Sequence, residues 1–159
     1  MCIEPRALIS TKSIPQALQH FAAGQISGPL GEQCNQLSEL IDMWADSAVC
    51  GESFRLRKFL TDDEVFSPIK INACMEWHLY DSARPLFQQT ASQAKTKWTD
   101  ERLKRAKTGG QPWWVVGQDH ARDGVRHGGL FLERARQQPD LRGRAWPHLF
   151  NLKGELKAA

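Results

Sequence analysis

From Leu30 to Ala48, apolar side chains return at steps of four, three, four, three and four residues: Leu30, Cys34, Leu37, Ile41, Trp44 and Ala48. That spacing puts them on one stripe of an α-helix, which Leu40 and Met43 widen. Glu32, Asn35, Glu39, Asp42 and Asp46 take the opposite side and give the helix an acidic outer face. An amphipathic helix owes most of its stability to burying its stripe, so the chain must supply a partner for it. Ser27-Gly28-Pro29 marks the start of this helix and Gly51 a stop.

The remaining pattern is also mainly helical. Ser13 with Gln16 forms a capping-box pair around Pro15, and Ile14, Leu18, Phe21 and Ala22 share a face that Gly24 would end. Between 53 and 67 the period changes. Phe54, Leu56 and Lys58 alternate with Arg55 and Arg57, Thr61-Asp62-Asp63 offers a turn, and Val65-Phe66 would return as the second strand of a small β-hairpin. Ser67-Pro68 then opens a long apolar register through Ile71, Met75, Leu79, Ala83, Leu86, Thr90, Ala94 and Trp98 to about Lys107. Pro85 either kinks this helix or divides it. Gly109-Gly110 would close it, the Gly117–Gly129 segment reads as a loop, and Leu130–Gln138 as a further helix ended by Pro139-Asp140. After these, an irregular wrap and a loose end after Lys153 are expected. The expected fold is therefore mainly α: a compact bundle of four to six helices with a long kinked central helix and a small β-hairpin.

A length of 159 residues suits a single domain, 1–159. Hydrophobic residues at 41% and charged residues at 25% exclude a disordered or fibrous chain. No apolar run approaches the roughly 18 residues a membrane span needs, and no basic region leads into an apolar stretch as in a secretory signal. Cys2, Cys34, Cys50 and Cys74 form no Cys-x-x-Cys pair and read as free thiols in a reducing cytosol. A cytoplasmic protein without membrane contact is expected.

Charge is divided along the chain. Residues 1–90 hold 7 Lys/Arg against 11 Asp/Glu, whereas residues 91–159 hold 14 against 7. A basic half suggests an anionic partner. Lys95, Trp98, Arg102 and Arg105 step along one helix stripe, with Lys97, Lys104 and Lys107 beside them. Such a surface attracts phosphates, and Trp98 would stack on a base or on Arg102. The same cations also suit the C-terminal dipole of an ordinary solvated helix. Arg122 and Arg126, among glycines, offer forked donors to an anion, or simply pair with Asp119 and Asp123. In Trp113-Trp114, one ring would face outward as a stacking platform, or both would cap the core.

Other chemistries find less support. His120, Asp123 and His127 would share a face if helical, but two arginines beside them oppose a cation and no fourth ligand is visible. No Gly-x-Ser-x-Gly elbow, Walker loop or Gly-x-Gly-x-x-Gly occurs. Val125-Arg126-His127 departs from the histidine–arginine box of tyrosine recombinases, because Asp123 stands where that box needs histidine. The helix–hairpin–long-helix order, with Gln33-Cys34-Asn35-Gln36-Leu37, resembles small accessory proteins of bacterial integrating elements over about the middle third of the chain. It carries no chemical motif, so no residue role follows from it.

These features suggest a non-enzymatic, cofactor-free nucleic-acid-binding accessory protein with low sequence specificity, of the kind found in bacterial mobile elements. Its contacts would be Lys95, Lys97, Trp98, Arg102, Lys104, Arg105, Lys107, Trp113, Arg122 and Arg126. The alternative is a protein-binding adaptor or inhibitor acting through the acidic helix face or the basic C-terminal segment, or a head-to-tail homo-oligomer. A hydrolase or transferase using His120 or His127 is a third reading.

Overall fold

The computed structural model describes residues 8–18, 21–53 and 63–158. In chain order the elements are α1 (Ile14–Ala17), α2 (Leu30–Met43), β1 (Val49–Glu52), α3 (Asp63–Tyr80), β2 (Leu86–Gln89), α4 (Ala91–Lys97), α5 (Asp100–Arg105), β3 (Lys107–Thr108), β4 (Gln111–Pro112), α6 (Asp119–Gln137) and α7 (Pro139–Ala145). Among the described residues the chain is thus mainly α, with two small two-stranded sheets. Contacts gather into two compact units: residues 26–90, and residues 1–25 together with 91–159. The charge division follows the same border. The 26–90 unit holds 5 Lys/Arg against 10 Asp/Glu, and the other 16 against 8.

In the 26–90 unit, β1, α3 and β2 form a crossover with parallel strands, in the register Val49↔Leu86 to Glu52↔Gln89. Parallel strands need such a connection, because a tight turn reverses direction. Ile41 of α2 packs with Met75 and Leu79 of α3, and Leu37, Val49, Ile71 and Leu86 close around them. The expected α2 stripe thus finds its partner as far as Ile41, but the helix ends at Met43, so Trp44, exposed, and Ala48 do not continue the stripe, and Leu40 and Met43 stay exposed rather than widening it. Arg84 stitches the C-terminal end of α2. Its Nη1 donates to Ile41 O at 3.3 Å, and its Nη2 donates to Ser47 O at 2.6 Å and Trp44 O at 3.3 Å. A cation there satisfies carbonyls that the helix leaves unpaired.

The long kinked central helix does not form. Residues 68–107 hold most of α3, then β2, α4, α5 and the start of β3. The stop after Tyr80 has a definite cause. Ala83 takes a left-handed φ of 51°, its N–H donates to Tyr80 O at 3.0 Å, and Arg84 N–H donates to Leu79 O at 3.1 Å. This pair of reversed bonds is a Schellman closure, which ordinarily uses glycine, and Pro85 follows it directly. The hairpin expected over 53–67 falls largely outside the described residues, but its second strand is overturned, since Val65 and Phe66 lie in α3. Gly51 is a strand residue of β1, not a helix stop.

In the other unit, α1 keeps its predicted start. Gln16 Oε1 accepts from Ser13 N–H at 3.3 Å and from Ser13 Oγ–H at 2.7 Å. The helix ends at Ala17, so Phe21 and Ala22 lie beyond it, and Phe21 is buried instead against Trp113 with ring centroids 5.2 Å apart. Gly109 and Gly110, with φ of 56° and 84°, turn the β3–β4 hairpin rather than ending a long helix. Two successive positive φ values are what a two-residue type I′ turn requires.

The glycine-punctuated segment expected as a loop is the first half of α6, a 19-residue helix that packs on α4 and α7. Gly129 explains part of the glycine content, because a Cβ there would stand 2.7 Å from Trp98 Cε2. Residues 154–157, expected to be loose, are tied back to the chain. Asn151 N–H donates to Glu155 O at 2.9 Å, Lys157 N–H donates to Leu149 O at 2.9 Å, and Gly154 is buried.

Candidate nucleic-acid interface

The ten predicted contact residues all fall within the unit formed by residues 1–25 and 91–159, but they divide sharply there. Trp98 and Trp113 are fully buried, at 0% exposure each, and stack on one another with centroids 4.8 Å apart. Neither ring can receive a base, so the stacking role expected of them is withdrawn. Their burial is complete even at the polar edge of Trp113. Its Nε1–H donates to Thr108 Oγ1 at 2.8 Å, and that hydroxyl donates to Pro15 O at 2.9 Å. A buried indole N–H needs such a partner.

The arginines are mostly drawn into the fold. Arg126, only 8% exposed, donates from Nε to Trp98 O at 3.1 Å and from Nη1 to Asp123 at 2.5 Å, and it also pairs with Asp100. One planar fork thereby joins the end of α4, the first residue of α5 and the body of α6. Arg102 pairs with Glu133, donates to Lys97 O at 3.0 Å and lies 3.9 Å from the Trp98 ring centroid. Arg122 pairs with Asp119 and donates to Val115 O at 2.7 Å. Lys95 meets Asp123 at 3.2 Å. These groups are structural cations whose charge is already answered.

Lys97, Lys104 and Lys107 differ. All three are exposed, and none is ion-paired among the described residues. Arg105 is also exposed. Its partner Glu101, at 3.3 Å, is an exposed residue on the same helix, a pairing worth little in water. Local structure explains their placement. Thr99 caps α5 by accepting from Arg102 N–H at 3.3 Å, and the helix runs Asp100-Glu101 in its first turn to Arg102, Lys104 and Arg105 in its last, following its dipole.

Trp114 completes this cluster. It is half-buried, and both Lys104 Nζ and the Arg122 guanidinium lie 4.6 Å from its ring centroid. A ring quadrupole holds a cation in place without neutralising it. Of Trp113-Trp114, the first ring faces the core and the second is half-buried beside these two cations.

Arg134 of α6 was not foreseen. With Lys97, Ser92, Gln93, Thr96 and Leu130 it lines a shallow groove of about 380 Å³ between α4 and α6. The signal for it lay in reading 119–137 as one helix, which the glycines concealed. Arg136 is partly withdrawn from solvent and donates to Lys12 O at 2.5 Å. Burial lowers its guanidinium from the usual value, against the opposing pull of Glu133.

The segment of α6 holding His120, Asp123 and His127 is helical after all, yet Asp123 is committed to Arg126 and Lys95, His120 is exposed and His127 is buried. Among the described residues no group of three or more His, Cys, Asp or Glu is placed to hold a metal. Nor is any described helix long and apolar enough to cross a membrane. In comparisons with known proteins, no family model, no curated protein and no solved structure matched the chain.

Proposed function

We propose that the chain binds nucleic acid through its phosphate backbone, with low sequence specificity and without catalysing a reaction, as an accessory protein of a mobile element would. The observation that carries this reading is the set of exposed, carboxylate-free cations flanking α5: Lys97 ahead of its start, and Lys104 and Lys107 at and beyond its end, with Lys104 held against Trp114. Cations pre-placed on an aromatic ring lose little side-chain freedom on meeting a phosphate, and each contact releases counterions. The contact set is narrower than the sequence suggested, because Arg102, Arg122 and Arg126 serve the fold.

The test is a titration of labelled single- and double-stranded DNA and RNA at two salt concentrations, comparing the native chain with Lys97→Glu/Lys104→Glu/Lys107→Glu. The triple variant is expected to bind at least tenfold more weakly and with a flatter salt dependence. Equal affinity and equal salt slope would refute the proposal.

One observation favours a second reading, a protein-binding adaptor. In the 26–90 unit Trp77 and Tyr80 are each 80% exposed on α3, and Met43 is 71% exposed at the end of the acidic α2. Large exposed apolar side chains mark protein interfaces more often than nucleic-acid ones. Trp77→Ala/Tyr80→Ala should leave nucleic-acid binding intact; loss of that binding in this variant would make the α3 aromatics part of the nucleic-acid contact and remove the argument for a protein-binding surface there.

A further inference from the structure

The groove between α4 and α6 is not absorbed by the lysines that carry the proposed function. α4 brings two neighbouring rungs to it, Ser92 with Thr96 and Gln93 with Lys97, each pair four residues apart. α6 brings Leu130 with Arg134 at the same spacing. The lining thus combines two cations, two hydroxyls, an amide and an apolar floor at buried Leu130, with no carboxylate among its described residues. The carboxylates close to these cations in sequence are engaged elsewhere: Glu133 pairs with Arg102, Asp100 with Arg126 and Glu101 with Arg105.

Both cations are unclaimed by the fold. The half-buried Arg134 side chain makes no ion pair or hydrogen bond among the described residues. Lys97 stands in the last turn of α4, where a cation ordinarily answers open carbonyls. Those carbonyls are already served here, since Arg102 donates to Lys97 O at 3.0 Å and Arg126 donates to Trp98 O at 3.1 Å.

We propose that this groove holds the terminal phosphate of a nucleic-acid strand, the phosphate between Lys97 and Arg134 and the last sugar or base against Leu130, an assignment that rests on the strand-binding reading above. A terminal phosphomonoester carries about −1.5 to −2 charges near neutral pH, whereas an internal phosphodiester carries one. Two cations free of carboxylates match the former. The arginine fork takes two phosphate oxygens at once, and the lysine adds a point charge. At about 380 Å³ the groove lies near the lower end of small-ligand sites, roughly 300–1,000 Å³, which suits one nucleotide at a strand end rather than a longer stretch.

The experiment titrates the full chain with a short, internally labelled oligonucleotide bearing hydroxyls at both ends, with the same strand bearing a 5′- or 3′-phosphate, and with adenosine 5′-monophosphate alone. A phosphate end should tighten binding by about fivefold, the worth of one further charge pair near the surface. Arg134→Gln and Lys97→Gln should each remove that preference, and Arg134→Lys should keep part of it. Lys97 is exposed, so its substitution tests the groove even where loss of Arg134 disturbs the packing of α6. Lys104→Gln should weaken every oligonucleotide alike and leave the ratio unchanged. Equal affinity for phosphate-ended and hydroxyl-ended strands overturns this site and leaves the backbone-binding reading standing, whereas failure of every oligonucleotide to bind removes both. A preference that survives both glutamine variants places the phosphate elsewhere and overturns the proposal. Binding of adenosine monophosphate alone, lost in Arg134→Gln, gives the groove to a free nucleotide and likewise overturns the strand end.

Discussion

Replacing Gly129 by alanine sets two effects of opposite sign against each other on one helix. Alanine is the better helix former by about 1 kcal/mol, so propensity alone predicts stabilisation. The added Cβ, however, would stand 2.7, 2.9 and 3.0 Å from Trp98 Cε2, Nε1 and Cδ2. Ordinary contact needs roughly 3.5–4 Å, so ring and helix must part by about 1 Å. Trp98 has little room to yield: it is fully buried, it stacks on Trp113 at 4.8 Å, and the Arg102 guanidinium sits 3.9 Å from its ring centroid. Overpacking of that kind costs about 2–3 kcal/mol, leaving Gly129→Ala about 1–2 kcal/mol less stable after the propensity gain. For a chain of this length the melting temperature should fall by about 3–6 °C. Gly124→Ala is the control, since that glycine lies in the same helix, exposed, with nothing within 4 Å of an added Cβ. It should gain about 0.5–1 kcal/mol. Urea denaturation followed by far-UV circular dichroism measures both. A Gly129→Ala variant as stable as the native chain, or more so, refutes the packing argument, and loss of stability in Gly124→Ala refutes the propensity argument.

Other consequences can be measured in the same way. Ala83→Gly should stabilise the 26–90 unit by about 1 kcal/mol, because it removes the cost of a left-handed alanine at the α3 closure; an unchanged denaturation midpoint would count against that closure. Arg126→Ala removes the group joining Trp98 O, Asp123 and Asp100 and should cost about 2–4 kcal/mol. That figure is below a fully buried pair, because Asp100 is 58% exposed and Asp123 keeps Lys95. A cost below about 0.5 kcal/mol would show that the fork is idle. Burial raises the Cys74 thiol, which has no effect on stability below its unfolded-state value. Above that value the unfolded chain loses its thiol proton first, so stability falls as pH rises toward the folded value, a slope that Cys74→Ser should remove.

Several local features were readable from residue order, because the interactions behind them are local. The α2 stripe up to Ile41, the Ser13–Gln16 cap and the place of Lys104 and Arg105 in the last turn of a helix each depend on neighbours within one helical turn or two. The charge division near residue 90 also survived, since it coincides with the border between the two units. The continuous apolar register from Ile71 to Trp98 misled for a physical reason. A strand of four residues inside it, Leu86–Gln89, is too short to impose a visible period of two, and the turn ahead of it is closed by an alanine where glycine would have announced a stop.

The fate of the basic residues lay beyond any such reading. Whether Arg126 meets solvent or Asp100, and whether Trp98 meets a base or Gly129, depends on how α4, α5 and α6 are brought together. Charge and aromatic content are properties of residue order, whereas their availability to a partner is a property of packing. Only the assembled helices separate Lys97, Lys104 and Lys107, which still face solvent, from the arginines that hold the protein together.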